Sequence, residues 1–272
     1  MTSQTERAER FLALHQGPDP LLIPNPWDVG SAKLLVSLGF QALATTSSGF
    51  AATLGRLDGQ VTRDEAMVHA AALAGATDVP VSADLENGYV DEPAEVAETV
   101  RLAVDAGLAG CSIEDYTRRD DSPIYDRQLA AERIAAAAEA AAASPVRLVL
   151  TARAENYLHG NPDLADTIAR LQSYQEAGAD VLYAPGLTRI EDIRSVVTSV
   201  DRPVNVLALP GVPPVAELAE AGVKRISVGG GFAWAAFNGV VEAARELLDQ
   251  GSYGWAVRSA PGRKAVRQAF GG

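Results

Sequence analysis

Asp105-Ala106-Gly107-Leu108-Ala109-Gly110-Cys111-Ser112-Ile113-Glu114-Asp115 joins the end of one periodic pattern to the start of another. Upstream, Glu95–Ala106 reads as helix; downstream, Cys111–Asp115 reads as a buried strand. Gly107 occupies the position just past the helix end, where a left-handed turn costs least. The same step recurs at Ser37-Leu38-Gly39-Phe40, Glu176-Ala177-Gly178-Ala179 and Glu220-Ala221-Gly222-Val223, each just before a β-rich run. Other approaches use proline, at Asp78-Val79-Pro80, Ser144-Pro145 and Asp201-Arg202-Pro203.

The punctuation predicts strands at Leu21–Pro24, Ala42–Thr46, Val81–Leu85, Cys111–Asp115, Leu148–Arg153, Val181–Ala184, Val204–Ala208 and Arg225–Val228. Most are nearly continuous apolar runs, as parallel strands covered on both faces require. Helical patterns lie between them, among them Arg127–Ala143, Leu164–Ala177 and Gly239–Asp249. Eight βα units in one series, with no linker-like shift in composition, predict an α/β fold closed into a (β/α)8 barrel. A doubly wound open sheet is the competing architecture. Residues 1–250 are expected to form the barrel, and 251–272 an extension that contributes to assembly.

The chain has 272 residues, 47% of them hydrophobic, which excludes wholesale disorder. Its 23 Lys and Arg against 35 Asp and Glu give a net charge of −12, which argues against a nucleic-acid partner. Cys111 is the single cysteine, so no intrachain disulfide can form. With only His15, His69 and His159, a structural zinc site is disfavoured. Met1–Arg10 lacks the apolar core of a signal peptide, and no stretch approaches the ~18 apolar residues of a membrane span. A cytoplasmic protein without membrane contact is expected.

In a barrel, chemistry belongs at the C-terminal ends of strands. Strand three ends in Asp84-Leu85-Glu86-Asn87-Gly88-Tyr89, strand four in Ile113-Glu114-Asp115, and strand five in Arg153-Ala154-Glu155-Asn156. Three successive strands thus deliver carboxylates to one rim, with an arginine among them. Hard oxygen ligands without His or Cys suit Mg²⁺ or Mn²⁺ held partly through water. The bland alternative is a ring of helix caps and rim salt bridges. Strand two ends in Thr45-Thr46-Ser47-Ser48-Gly49-Phe50, where small residues let an anion approach the backbone, unless this is an ordinary βα loop. Gly229-Gly230-Gly231 after strand eight reads equally as a phosphate loop or as plain turn chemistry. His69 and His159 read as surface or helix residues and Cys111 as core. Trp27, Trp234 and Trp255 read as packing or interface residues.

Together these pieces resemble the isocitrate lyase/phosphoenolpyruvate mutase superfamily, from about Leu21 to Gly231. Asp84-Leu85-Glu86-Asn87-Gly88-Tyr89 is similar to the family's Asp-x-Asp-x-Gly-Tyr-Gly. Ser48-Gly49-Phe50, with Gly55 and Asp58 after it, and the Arg153–Glu155 pair match further motifs. The resemblance implies an α/β barrel, often with its last helix exchanged between subunits, assembled as a homodimer or homotetramer. It implies Mg²⁺ and small 2-oxo, enolpyruvyl or dicarboxylic acids, whose C–C or P–C bonds are cleaved or formed through an enolate-like species. Carried over by position, Asp84, Glu86 and Glu114 would surround the metal. Ser48, Gly49 and Phe50 would hold the substrate carboxylate, with Asn205 added to that substrate-binding set. Arg153 would bind the second anionic group, and Asp58 would lie near the reacting centre.

The departures bear on the substrate. Glu86 stands where the family usually has Asp, and Val90 replaces the motif's last Gly. The loop Tyr116–Asp126 contains neither the Cys and His of the isocitrate-type lyases nor the Lys and Asn of the phosphonate mutases. Three alternatives to a carbon–carbon lyase therefore stand: a P–C mutase or hydrolase, a metal-free phosphate-gripping barrel, and a degenerate barrel kept for binding or assembly. The loop itself reads either as a mobile lid carrying Arg118 and Arg119 or as a solvated connector. As a lid, it offers Tyr116 or Tyr125 as the acid, because arginine stays protonated.

Overall fold

The computed structural model describes residues 2–271. Helix α1 (Gln4–Leu14) precedes β1 (Leu21–Ile23), followed by α2 (Val29–Ser37), β2 (Leu43–Ala44), α3 (Ser47–Thr53), α4 (Arg63–Ala76) and β3 (Val81–Asp84). Then come α5 (Pro93–Asp105), β4 (Gly110–Glu114), α6 (Arg127–Ala143), β5 (Val149–Arg153), α7 (Leu164–Glu176) and β6 (Val181–Tyr183). The chain continues through α8 (Ile190–Ser199), β7 (Val204–Leu207), α9 (Val215–Glu220), β8 (Arg225–Ser227) and α10 (Gly231–Arg245). It ends in α11 (Gly254–Arg258) and α12 (Ala260–Ala269).

All eight strands run parallel in the order β1-β8-β7-β6-β5-β4-β3-β2. At the remaining seam the Ala44 N–H donates to the Pro24 carbonyl at 3.1 Å, bringing β2 to β1. The sheet is thus a nearly closed barrel ringed by helices, not a doubly wound open sheet. Each of the eight predicted strand positions carries a strand. The turn glycines Gly39, Gly107, Gly178 and Gly222 all take positive φ, as the helix-end reading requires.

Strand alternation sends alternate side chains into the barrel. At its N-terminal end, Leu21, Ala42, Val149 and Val181 pack round Phe11 of α1, which is fully buried. Helix α1 therefore stoppers the barrel, pinned by Gln4, whose Nε2 donates to the Val104 and Leu108 carbonyls at 2.7 and 2.9 Å. Gly110 makes room for the stopper, since a Cβ there would meet Phe11 Cε1 and the Val149 carbonyl, each at 2.7 Å.

The next layer up is polar rather than branched and apolar. Arg225 donates from Nε to Asn205 Oδ1 and from Nη1 to Thr151 Oγ1, both at 2.9 Å. Asn205 Nδ2 in turn donates to Ser227 Oγ at 2.9 Å. His15, at the end of α1, meets this layer from below. Its Nδ1–H donates to the Phe11 carbonyl at 2.7 Å, leaving Nε2 to face Arg225 Nη1 at 3.5 Å.

Burial, and then the positive Arg225, push the His15 pKa down to about 3. The unfolded chain therefore takes up a proton near pH 6.5 that the folded chain refuses until far lower pH. The stability from this group is complete above pH 6.5 and is lost as pH falls toward 3. The gap in unfolding free energy between the wild type and His15→Gln should narrow by about 1.4 kcal/mol per pH unit between about pH 6 and 4.5. Urea titrations at several pH values check this, and parallel curves for the two proteins would refute it.

Helix α10 begins inside the three-glycine run, at Gly231 rather than at the expected Gly239, and departs from the barrel after one turn. Ala233 is its buried residue, while Phe232, Trp234, Phe237, Val240 and Val241 remain exposed. Helix α12 folds back against α2. Among the described residues, no helix is long and apolar enough to cross a membrane.

Candidate active site

A cavity of about 200 Å³ opens at the C-terminal ends of the strands. That is smaller than the roughly 300–1,000 Å³ of drug-sized ligand sites, and it fits an acid of a few carbons. Wider grooves on the outside, such as the one between α5 and α6, bring no comparable cluster of buried charges together.

On one wall Arg153, at the end of β5, sits among carboxylates from three strand ends. Its Nη1 lies 3.0 Å from Asp84 Oδ1 and 3.2 Å from Glu114 Oε2, and its Nη2 lies 2.6 Å from Glu155 Oε1. Ladder pairing sets this up, because Glu114 is the register partner of Arg153 and Asp84 that of Ser112. Burial, and after it the negative Glu155 and Asp84, hold the Glu114 carboxyl well above the usual range despite Arg153. Burial also opposes ionisation of Glu155, but Arg153 and His159 outweigh it and its pKa falls. Arg153 is desolvated too, yet its carboxylate neighbours raise its pKa and keep it charged.

Glu114 and Asp115 are adjacent, so they point to opposite faces of the strand. Asp115 turns outward into a buried network. Its Oδ2 accepts from Arg170 Nη1 at 3.1 Å and from the Tyr174 hydroxyl at 2.5 Å, and its Oδ1 accepts from the Glu155 N–H at 2.8 Å. This network holds the tops of β4 and β5 together and fixes Glu155 beside Arg153.

Glu86 follows β3 in a left-handed conformation, with φ +50°. One carboxylate oxygen accepts from Arg118, while Oε1 is buried with no hydrogen-bond partner. Tyr89 and Arg118 are the other non-glycine residues with positive φ among the described residues, and the Arg118 guanidinium lies 5.6 Å over the Tyr89 ring. Arg118 thus touches both other strained residues, and the three store about 1–2 kcal/mol each, a cost that concentrates where function requires it.

The opposite wall is the start of α3. Thr46 caps this helix, and the Ser47 N–H donates to Asp84 Oδ2 at 3.3 Å. Of the expected trio, Ser48 lines the cavity. The Gly49 N–H is taken up by Thr46 Oγ1 and the Phe50 N–H by the Thr46 carbonyl. The Phe50 ring stacks on His69 at 3.8 Å, and His69 Nε2 contacts the Trp27 carbonyl at 3.0 Å, so His69 braces α3. Asp58 lines the cavity mouth, where partial desolvation and the negative Asp84 raise its pKa. Asn205 lies beneath, bonded to Arg225 and Ser227. Gly229 and Gly230 border the cavity, whereas Gly231 is already helical. A Cβ on Gly230 would fall 2.8 Å from Ser48 Oγ. Tyr116 lies outside the lining, stacked at 3.6 Å on His159, whose Nε2 is 3.5 Å from Glu155 Oε2.

The loop after β4 folds back toward the end of β3 and the α3–α4 loop. Arg118 Nη1 donates to the Gly59 carbonyl at 3.2 Å while Nη2 holds Glu86, and Arg119 pairs with Asp91 at 3.1 Å. Two strand ends and the α3–α4 loop are thereby tied together.

The donor set is compatible with a hard divalent cation. Among the described residues no three His, Cys, Asp or Glu side chains converge closely enough to hold a metal by themselves. Mg²⁺ seldom asks for that, since it keeps several waters and takes one or two carboxylates. The orphaned Glu86 Oε1 and the surplus of carboxylate around Arg153 are the features such an ion would satisfy.

The phosphoenolpyruvate phosphomutase family model matches residues 11–248. The chain belongs to the isocitrate lyase/phosphoenolpyruvate mutase superfamily. A crystal structure from Burkholderia cenocepacia, assigned no more finely than lyase or mutase, is 52% identical with a TM-score of 0.94, covering 97% of this chain and 96% of that one. A second protein of that organism, described as a phosphonomutase without firm assignment, is 37% identical with a TM-score of 0.85, covering 92% and 100%. The 2,3-dimethylmalate lyase structure is 27% identical with a TM-score of 0.84, covering 100% and 95%. The superfamily supports a lyase- or mutase-type catalytic fold for small carboxylic acids, and the Asp84, Glu114 and Arg153 constellation stands at its strand ends.

Proposed function

We propose that the protein is a Mg²⁺-dependent carbon–carbon lyase acting on a small 2-oxo or dicarboxylic acid through an enolate-like species. The observation that carries this reading is the excess of acid at a nearly buried site: three carboxylates lie within 3.2 Å of one guanidinium. Asp84, Glu86 and Glu114 would hold the cation, mostly through water. When bound, Mg²⁺ supplies Lewis-acid polarisation of a substrate oxygen.

The chain's own groups do the rest. Arg153 presents fixed positive charge toward oxygen that becomes negative during cleavage, and its carboxylates keep it in place at no reorganisation cost. Ser48, at the start of α3, offers its hydroxyl to a substrate carboxylate. Asp58, with its raised pKa, is placed at the mouth to exchange a proton with a departing fragment. Arg118 closes the mouth by bridging Glu86 and Gly59, which excludes water from the reacting carbons. The exposed apolar face of α10 would pack against another copy of the chain, giving a homo-oligomer with an exchanged last helix.

A screen of 2-hydroxy- and 2-oxo-dicarboxylic acids with Mg²⁺, read by NMR for a newly released 2-oxo acid, tests the reading. Release abolished by chelator is the expected result. The second reading, a phosphonate mutase, is favoured by the 37% identical phosphonomutase. Conversion of phosphonopyruvate, seen by phosphorus NMR with every carbon acid untouched, would establish that reading instead.

A further inference from the structure

Arg153 and Arg225 both line the cavity, but their charges are not equally available. Arg153 is surrounded by three carboxylates. Arg225 is only 5% exposed and forms no ion pair with any Asp or Glu among the described residues. Its partners, Asn205, Thr151 and His15, are all uncharged, and His15 stays neutral because burial and Arg225 itself suppress its protonation. Two of its nitrogens are thereby fixed in direction, and Nη2 takes part in none of those bonds. The cavity surface beside it, Ser82, Ser112 and Ser227, supplies hydroxyls without charge. A buried cation left uncompensated is costly, and an anion entering the cavity would offset that cost. Burial has already drawn the Arg225 pKa down to about 10, so the guanidinium remains charged at neutral pH while lacking a counterion.

We propose that Arg225 is the anion receptor at the base of the cavity, taking on Nη2 the carboxylate or other oxyanion of the substrate remote from the Arg153 cluster. The enzyme would then select dianionic acids long enough to span the site. The inference rests on the reading of this cavity as the catalytic site, and it moves the second anionic contact from Arg153 to Arg225. Thr151, Asn205 and His15 act as positioning residues that aim the fork.

Calorimetric titrations of the full-length protein with Mg²⁺, using oxalate and succinate as probes, test it. The wild type should bind both. Arg225→Gln, which keeps an amide to meet Asn205, should lose affinity for succinate about 30-fold and for oxalate less than about 3-fold. Arg225→Lys should recover most of the succinate binding. Equal losses for the two probes would mark Arg225 as merely structural, and unchanged succinate binding would also overturn the proposal. A wild type that binds oxalate but not succinate sinks this inference alone, whereas binding of neither sinks the functional reading beneath it. Should Arg225→Gln fail to fold, a crystal structure of the wild type with succinate decides. A carboxylate oxygen within hydrogen-bond distance of Arg225 Nη2 supports the assignment, and succinate bound without that contact refutes it.

Discussion

Arg153→Met is expected to lower turnover on the substrate by at least about 10²–10³-fold, since it removes the fixed charge facing the developing anion. The same change strips Asp84, Glu114 and Glu155 of their shared cation. Breaking a buried pair on one side costs about 3–5 kcal/mol, because the remaining charge is stranded. Arg153 lowers the pKa of Glu114 and Glu155, so without it both rise in the folded state. A group whose folded pKa is raised contributes stability that grows as pH falls, so the deficit of the variant should be large at pH 7 and smaller near pH 5. Arg153→Lys separates the two effects. It keeps a positive charge and most of the stability, but it loses the fork that reaches Asp84 and Glu155 together, and turnover with it. Denaturant titrations at both pH values, with kinetics alongside, check the pair.

Asp115→Ala should destabilise the protein by about 3–5 kcal/mol, more than changing any acid on the cavity wall singly. Asp115 is 2% exposed, and its loss leaves the Arg170 guanidinium and the Tyr174 hydroxyl without their buried acceptor. It also frees the Glu155 N–H, so Glu155 should drift from Arg153 and activity should fall in the fraction that stays folded. Asp115→Asn retains an acceptor without the charge and should fall between the two. Urea unfolding of all three proteins gives the order directly, and an alanine variant as stable as the wild type would exclude this scaffold role.

The barrel was legible because its punctuation is local. A glycine or proline before each strand and near-continuous apolar strands are properties of a few neighbouring residues. The Asp84, Glu114 and Arg153 cluster was legible for a related reason, since strand ends in a barrel converge. Facing was harder. Ile113-Glu114-Asp115 places two acids side by side, and only the pleat shows that Glu114 enters the barrel while Asp115 leaves it for α7. Arg225 does not read as a site residue from sequence because it opens its strand rather than closing it, and barrel interiors are ordinarily branched and apolar. A signal was present: Arg225 and Ser227 alternate on one face and Asn205 lies on the neighbouring strand, a polar layer that period-two reading would expose. The stopper formed by α1 carried no such signal, because Phe11 and His15 acquire meaning only once the barrel end they fill exists. Gly49 and Phe50 were placed with the substrate by motif, but capping of α3 by Thr46 engages both N–H groups locally.

The proposed function requires this cavity to bind an enolate-like dianion together with Mg²⁺. The most direct measurement is calorimetry with oxalate, an enolate mimic, on the folded protein with and without the metal. Binding at micromolar to sub-millimolar oxalate that requires Mg²⁺, and that is lost in Arg153→Lys, is the expected result. No heat at millimolar oxalate, or equal binding in excess chelator, would contradict it.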